Sequence, residues 1–170
     1  MPLVAVSTGL NRDSGDVHGR MRPKYLEEHA EWHKNSSKPP PMVRFMSKAY
    51  ETAWLGKIAL LKGDMISFGK LMNENHRIVN EMMAYCGFED GAGWANNLLI
   101  EVALKNGALG SKLTGAGSGG SVFALTKPGE ESLIAEVWRE EITKAGLSSA
   151  TVYLPHIVHH GLIIEHSKPS

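Results

Sequence analysis

The apolar positions of this chain change period along its length, and the changes mark out its elements. Residues 3–8, LVAVST, form a short apolar run with β-branched side chains and predict a strand. GLNRDSG follows as a turn, and a helix is expected over about 16–34, kinked or divided at Pro23. SSKPPPM, residues 36–42, breaks the pattern with three consecutive prolines and reads as a stiff extended connector. Helical spacing returns with Val43, Met46, Tyr50, Ala53, Trp54, Ile58 and Leu61, closed by Lys62-Gly63. Asp64 is placed to cap the next helix, whose stripe is Met65, Phe68, Met72, His76, Val79 and Met83, with Gly87 at its end. A further helix over about 93–106 carries Trp94, Leu98, Leu99 and Val102 and stops at Asn106-Gly107.

The period then shortens to that of strands. SKLT and SVFALT flank the glycine-rich segment GAGSGG, residues 115–120, as the two arms of a hairpin. A last helix is expected over 130–145, acidic in its first turn and closed by Lys144 and Gly146, with Leu133, Ile134, Val137, Trp138 and Ile142 on one face. TVYLPHIV and GLIIEH read as short closing strands. The order is one strand, several helices, a hairpin, a helix and closing strands. It predicts an α+β domain in which helices cover a small, mostly antiparallel sheet.

Composition narrows this only modestly. The 170 residues suit a single domain with a proper core. Eighteen basic residues balance eighteen acidic ones, so there is no strong electrostatic pull toward nucleic acid or a membrane surface. One cysteine, Cys86, leaves no internal disulfide and fits a reducing compartment. No apolar run reaches the roughly 20 residues of a membrane-spanning helix, and the expectation is a cytoplasmic protein.

The hairpin tip carries the chemistry. GAGSGG satisfies the spacing of a dinucleotide fingerprint, but a strand follows it where that motif requires a helix. The P-loop pattern is absent from the chain. Four glycines in six positions exceed what a simple turn needs. Glycine admits positive φ and lets a ligand approach the backbone closely, and successive amides in such a turn make a concave site for anionic oxygen. Ala116 and Ser118 between the glycines are small, and Thr114 and Ser121 flank the loop with hydroxyls. A plain hairpin tip is the alternative reading.

SKLTGAGSGGSVFAL resembles the third signature segment of the GHMP kinases, the superfamily of galactokinase, homoserine kinase, mevalonate kinase and phosphomevalonate kinase. VAVSTGLNRDSGDVHGRMR is similar to the strand and helix that open the C-terminal domain of those enzymes, and its DSGDVH resembles glucuronokinases and related sugar-1-kinases. LMNENHRIV, residues 71–79, resembles a helix segment of the same family. The resemblance implies a ferredoxin-like C-terminal domain over 1–170 and an ATP-dependent sugar kinase. The acceptor it implies is a sugar hydroxyl, the anomeric one of a uronic acid or a related sugar. It assigns Lys112, Thr114, Gly115, Ala116, Gly117, Ser118, Gly119 and Gly120 to the nucleotide phosphates. Arg12, Asp13, Ser14, His18, Asn75 and His76 fall to the sugar side. Ser118 departs from the glycine that many members carry.

The same resemblance implies that the N-terminal domain of such a kinase, with its P-x-x-x-G-L-G-S-S-A-A loop, proposed base and Mg2+ ligands, is missing from this sequence. ATP and Mg2+ would then be bound largely by that other half. No catalytic residue is expected here, and no turnover from this chain alone. The expected partners are that N-terminal domain and a small sugar, with a homodimer as a further expectation. A non-catalytic α+β binding or dimerisation module is the rival, and an RNA-binding sheet is disfavoured because SVFALT lacks paired aromatics and basic flanks.

The remaining polar residues have plainer readings beside these. Asp13 or Ser14 suits a helix cap, while a helix N-terminus with Arg12 beside it also suits a carboxylate or phosphate. His76 on an apolar stripe reads equally as a core histidine, and Lys112 as a solvated strand residue. His29 and His33 stand at i, i+4 in HAEWH without the glutamate of a zincin motif and without an evident third ligand. His156, His159 and His160 form a second cluster, and no metal site is expected at either. Trp32, Trp54, Trp94 and Trp138 are expected in the core or at a domain interface.

Overall fold

The computed structural model describes residues 1–11, 13–35, 38–158 and 161. β1 (Leu3–Ser7) is followed by four helices, α1 (Ser14–Asn35), α2 (Pro41–Leu61), α3 (Met65–Tyr85) and α4 (Trp94–Lys105). β2 (Gly110–Thr114) and β3 (Ser121–Leu125) form the hairpin, and α5 (Glu131–Lys144) and β4 (Thr151–Tyr153) complete the described elements. The four strands lie in the order β2-β3-β1-β4 and every pairing is antiparallel. That order, with helical crossovers joining β1 to β2 and β3 to β4, is the split arrangement of ferredoxin-like folds.

Alternation along the strands decides where the core sits. Val4 and Val6 of β1 and Val122 and Ala124 of β3 point to one face, where Leu99, Ile100 and Ala103 of α4 meet Ile134, Ala135 and Trp138 of α5. Trp138 is fully buried, and its indole nitrogen donates to the Leu99 carbonyl oxygen at 2.7 Å, so burial leaves no orphan donor there. α3 packs against the β2 edge at a point with no room for a side chain. A Cβ on Gly69 would lie 2.4 Å from the Leu109 carbonyl oxygen, and one on Gly110 would lie 2.3 Å from that of Gly69.

Local signals place the helix ends. Asp64 accepts from the Ser67 amide and caps α3 as expected. α2 begins at Pro41, inside the proline run, because a proline at the first helical position lacks only an N–H that would go unused. Pro23 does not divide α1, which runs unbroken through it. Of the two closing strands, TVYLPHIV contributes only Thr151–Tyr153, and GLIIEH lies outside the described residues apart from Gly161.

One expected face turns outward. Of the expected α2 stripe of Val43, Met46, Tyr50, Ala53, Trp54, Ile58 and Leu61, Val43 is buried, yet Tyr50 is 72%, Trp54 53% and Leu61 77% exposed. Beyond Val43 the helix turns Thr52, Gly56 and Ala59 inward instead. Small residues let α2 lie close to α3, with the Phe68 ring within 3.7 Å of where a Gly56 Cβ would be. Helical period locates a stripe but does not say which side of it the neighbour takes.

Candidate functional site

Joining β2 to β3, residues 115–120 show why the loop needs its glycines. Gly115, Gly117, Gly119 and Gly120 all have positive φ, at 84°, 88°, 139° and 84°. Ser118, at φ 64°, is the one described non-glycine residue in that region. A side chain there costs about 1 kcal/mol or more in local strain, which the surroundings must hold in place.

Packing and hydrogen bonds from α4 hold it. The middle of the loop is buried against the turn that opens α4. An added Cβ on Gly93 would come within 3.0 Å of the Ser118 backbone, and the Ser118 amide donates to the Ala92 carbonyl oxygen at 2.7 Å. Asn96, fully buried in the first turn of α4, donates through Nδ2 to Ala92 O at 2.9 Å and to Gly119 O at 3.0 Å. On the other side, Thr8 at the end of β1 donates its amide and hydroxyl to Gly120 O at 2.8 and 3.0 Å. Two loop carbonyls are therefore held by protein while most loop amides are not. Among the described residues, the amides of Ala116, Gly117, Gly119 and Gly120 donate to no protein acceptor.

Those amides border an open hollow of about 260 Å³ lined by Leu10, Asn11 and Ser14 as well as Thr114–Gly117 and Gly119–Ser121. Ser14 begins α1, whose first amides are capped by Asp13, with Oδ1 accepting from Gly15 N at 2.7 Å. The hollow thus lies between a glycine loop and a helix N-terminus, both of which present N–H dipoles to negative charge. Among the described residues its lining contains no lysine or arginine.

The expected site residues are not all brought together. Thr114, Gly115, Ala116, Gly117, Gly119, Gly120 and Ser14 share the hollow. Ser118 turns toward a neighbouring one with Asp16, Arg20, Phe88 and Asp90. His18 is exposed and lines neither hollow, and Arg12 lies outside the described residues. Lys112 and Asn75 meet instead in a separate hollow of about 220 Å³ with Thr52, Gly56, Phe68 and Phe123. Lys112 projects from the sheet face opposite the α4–α5 core, where burial lowers its ammonium pKa and its Nζ stands 5.6 Å from the Phe123 ring centre. Asn75 donates to Thr52 Oγ1 at 2.9 Å and so ties α3 to α2.

His76 points toward α4 within an amide network. Its Nε2 donates to Asn97 Oδ1 at 3.1 Å, and Asn97 Nδ2 donates to Asn80 Oδ1 and to the Asp90 carbonyl oxygen at 3.0 and 3.1 Å. Asn80 Oδ1 also accepts from Ala92 N at 2.8 Å. Burial lowers the His76 pKa, the Asn97 bond works against that shift, and Nδ1 has no partner among the described residues. The network leads to Ala92, whose carbonyl receives the loop. Asn80, Asn96 and Asn97 escaped the sequence reading. The available signal was WANNLL, two amides at the start of an otherwise apolar helix, which a buried helix tolerates only with partners.

Comparisons with known proteins place the chain in a family. Residues 96–144 match the family model described as GHMP kinases C terminal. A galactokinase of Thermococcus kodakarensis is 36% identical over 71% of this chain and 33% of its own length. A probable glucuronokinase 2 of Arabidopsis thaliana is 30% identical over 82% of this chain and 34% of its own. The solved structure of L. major mevalonate kinase in complex with R-mevalonate has a TM-score of 0.65 at 23% identity, covering 89% of this chain and 40% of that one. The chain spans about a third of the length of the two curated relatives named here. Its α+β fold is that of a GHMP kinase C-terminal domain, and the chain belongs to the GHMP kinase family.

Proposed function

We propose that this chain is the phosphate-side half of an ATP-dependent GHMP kinase that phosphorylates a small-molecule hydroxyl, with a sugar as acceptor. One observation carries the reading: four loop amides with no described protein acceptor border an open hollow beside the α1 N-terminus. Amides held in place by their neighbours cost little reorganisation when they meet phosphate oxygens, and phosphoryl transfer depends mostly on such positioning and charge stabilisation. The phosphate-side residues are Thr114, Gly115, Ala116, Gly117, Gly119 and Gly120, with Ser118 holding the loop against Ala92. Lys112 belongs to a second contact region, shared with Asn75.

Mg2+ belongs with the rest of the enzyme. Mg2+ is held by phosphate oxygens and one or two carboxylates, and the described lining of the hollow carries no Asp or Glu. When bound, the metal would neutralise phosphate charge that the described lining of this hollow, which has no basic side chain, does not. The N-terminal domain is the partner this reading requires. The acceptor preference follows the resemblance of DSGDVH to sugar-1-kinases and the glucuronokinase relative, and names the anomeric hydroxyl of a uronic acid. No helix among the described residues is long and apolar enough to cross a membrane.

The test is reconstitution. This chain is co-expressed with the N-terminal half of a matching kinase, and ADP release is measured across a panel of uronic acids, neutral sugars and mevalonate. Release with a uronic acid above the others supports the whole reading, release with another acceptor corrects the substrate, and no release with any acceptor overturns it.

A further inference from the structure

We propose that His29 and His33, near the C-terminal end of α1, form a two-imidazole site for a borderline divalent cation such as Cu2+, Ni2+ or Zn2+. The two side chains leave the helix one turn apart on the same face, and their Nε2 atoms lie 3.2 Å from each other. Ring centroids are 4.4 Å apart and the planes cross at 64°, so the rings converge edgewise at their nitrogens. In the metal-free protein one neutral ring donates its Nε2–H to the Nε2 of the other. A cation bound by both Nε2 lone pairs takes the place of that proton; the donor ring then carries its single proton on Nδ1, as the other ring already does, and no net proton is released.

The spacing suits this exchange. With metal–nitrogen bonds of about 2.0–2.1 Å, two nitrogens 3.2 Å apart subtend an angle of about 100° at the ion, close to what tetrahedral and square geometries require. Little side-chain movement is therefore needed. Imidazole nitrogen selects these metals over Mg2+ and Ca2+, which take oxygen. His33 also lies in the last turn of α1, where the unpaired carbonyls and the helix dipole favour positive charge. His33 is exposed, so water or another ligand can fill the remaining positions. The 15-residue step from Ser14 to His29 places the pair about 20 Å or more along the helix from the glycine-loop hollow. This chemistry is separate from phosphate binding.

Two aromatic rings give the site its own signal. Trp32 lies 5.3 Å from the His33 ring and 6.1 Å from that of His29, and Tyr25 lies 5.4 Å from His29. Bound Cu2+ at that range quenches Trp32 fluorescence. The experiment uses the untagged 170-residue protein, stripped with chelator, and titrates Cu2+, Ni2+, Zn2+ and Mg2+ by calorimetry and fluorescence. His29→Ala, His33→Ala and Trp32→Phe are run alongside.

Binding is expected in the order Cu2+ > Ni2+ and Zn2+, with none for Mg2+. Each alanine variant should weaken Cu2+ binding at least about tenfold, because the second imidazole acts at a high effective concentration. Trp32→Phe should keep the affinity and lose most of the quenching. Circular dichroism confirms that the variants remain folded. Absence of saturable Cu2+ binding overturns the proposal, as does an unchanged isotherm in either histidine variant, which would place the metal elsewhere.

Discussion

Replacing Asn96 with alanine removes two hydrogen bonds from beneath the glycine loop at once. Nδ2 spends both its protons there, one on Ala92 O at 2.9 Å and one on Gly119 O at 3.0 Å. Ala92 O keeps the Ser118 amide, but Gly119 O is left without its side-chain partner. Two buried neutral hydrogen bonds contribute about 1 kcal/mol each, and the abandoned carbonyl adds a further cost of about 1 kcal/mol. Against this, Asn96 Oδ1 is itself buried and unpaired among the described residues, so its removal returns part of the loss. The net is about 2 kcal/mol, or about 4–8 °C in Tm for a domain of this size. Asn96→Asp separates hydrogen bonding from volume: the shape is kept, yet an oxygen would face two carbonyl oxygens, so it should destabilise more than alanine does. Thermal and urea unfolding measure both, and amide exchange reads the loop directly. A Tm drop below about 1 °C for Asn96→Ala, or an aspartate variant more stable than the alanine one, would refute the role given to this side chain.

Other expectations follow from the same coordinates. Gly69→Ala should cost about 2–3 kcal/mol by urea unfolding, since its Cβ would meet backbone at 2.4 Å and α3 would have to move off β2; a change under about 0.5 kcal/mol would show that the contact yields. The lowered pKa of His76 means the unfolded chain takes up a proton before the folded one does. Its contribution is present above the ordinary histidine value of 6.5 and is lost as pH falls through the folded value. Stability should therefore decline from pH 7 toward pH 5, and His76→Gln should flatten that decline; an unchanged slope would count against it. The 170-residue chain alone should show no sugar-dependent ADP release, and robust turnover would show that it needs no second half.

Much of this fold was legible because local chemistry and tertiary demand coincide. Asp64 and the glycine hairpin carry a cap and a turn that the structure uses as written, and the α5 stripe holds at Ile134 and Trp138 while Leu133 stays exposed. The face of α2 was misread because a helix stripe rich in large apolar residues outscores one of Thr52, Gly56 and Ala59, although close helix packing needs the small one. Within the site, the loop could be found from its glycines because positive φ writes itself into composition. Asn96 could not, since a buried amide is recognised by the carbonyls it reaches, and those lie 4 and 23 residues away. The family resemblance groups Lys112 with the loop. Strand alternation instead sends it to the opposite sheet face from its neighbours Ser111 and Leu113, whose side chains are buried.

Backbone amides of the loop are the centre of the account, and a titration of isotopically labelled protein with ATP, followed by NMR, reads them one at a time. The amides of Ala116, Gly117, Gly119 and Gly120 should exchange readily with solvent in the free protein and shift most as ATP is added. Signals from α5 should stay in place. Loop amides that are already protected, or that stay still while signals elsewhere move, would contradict the assignment of this loop to phosphate.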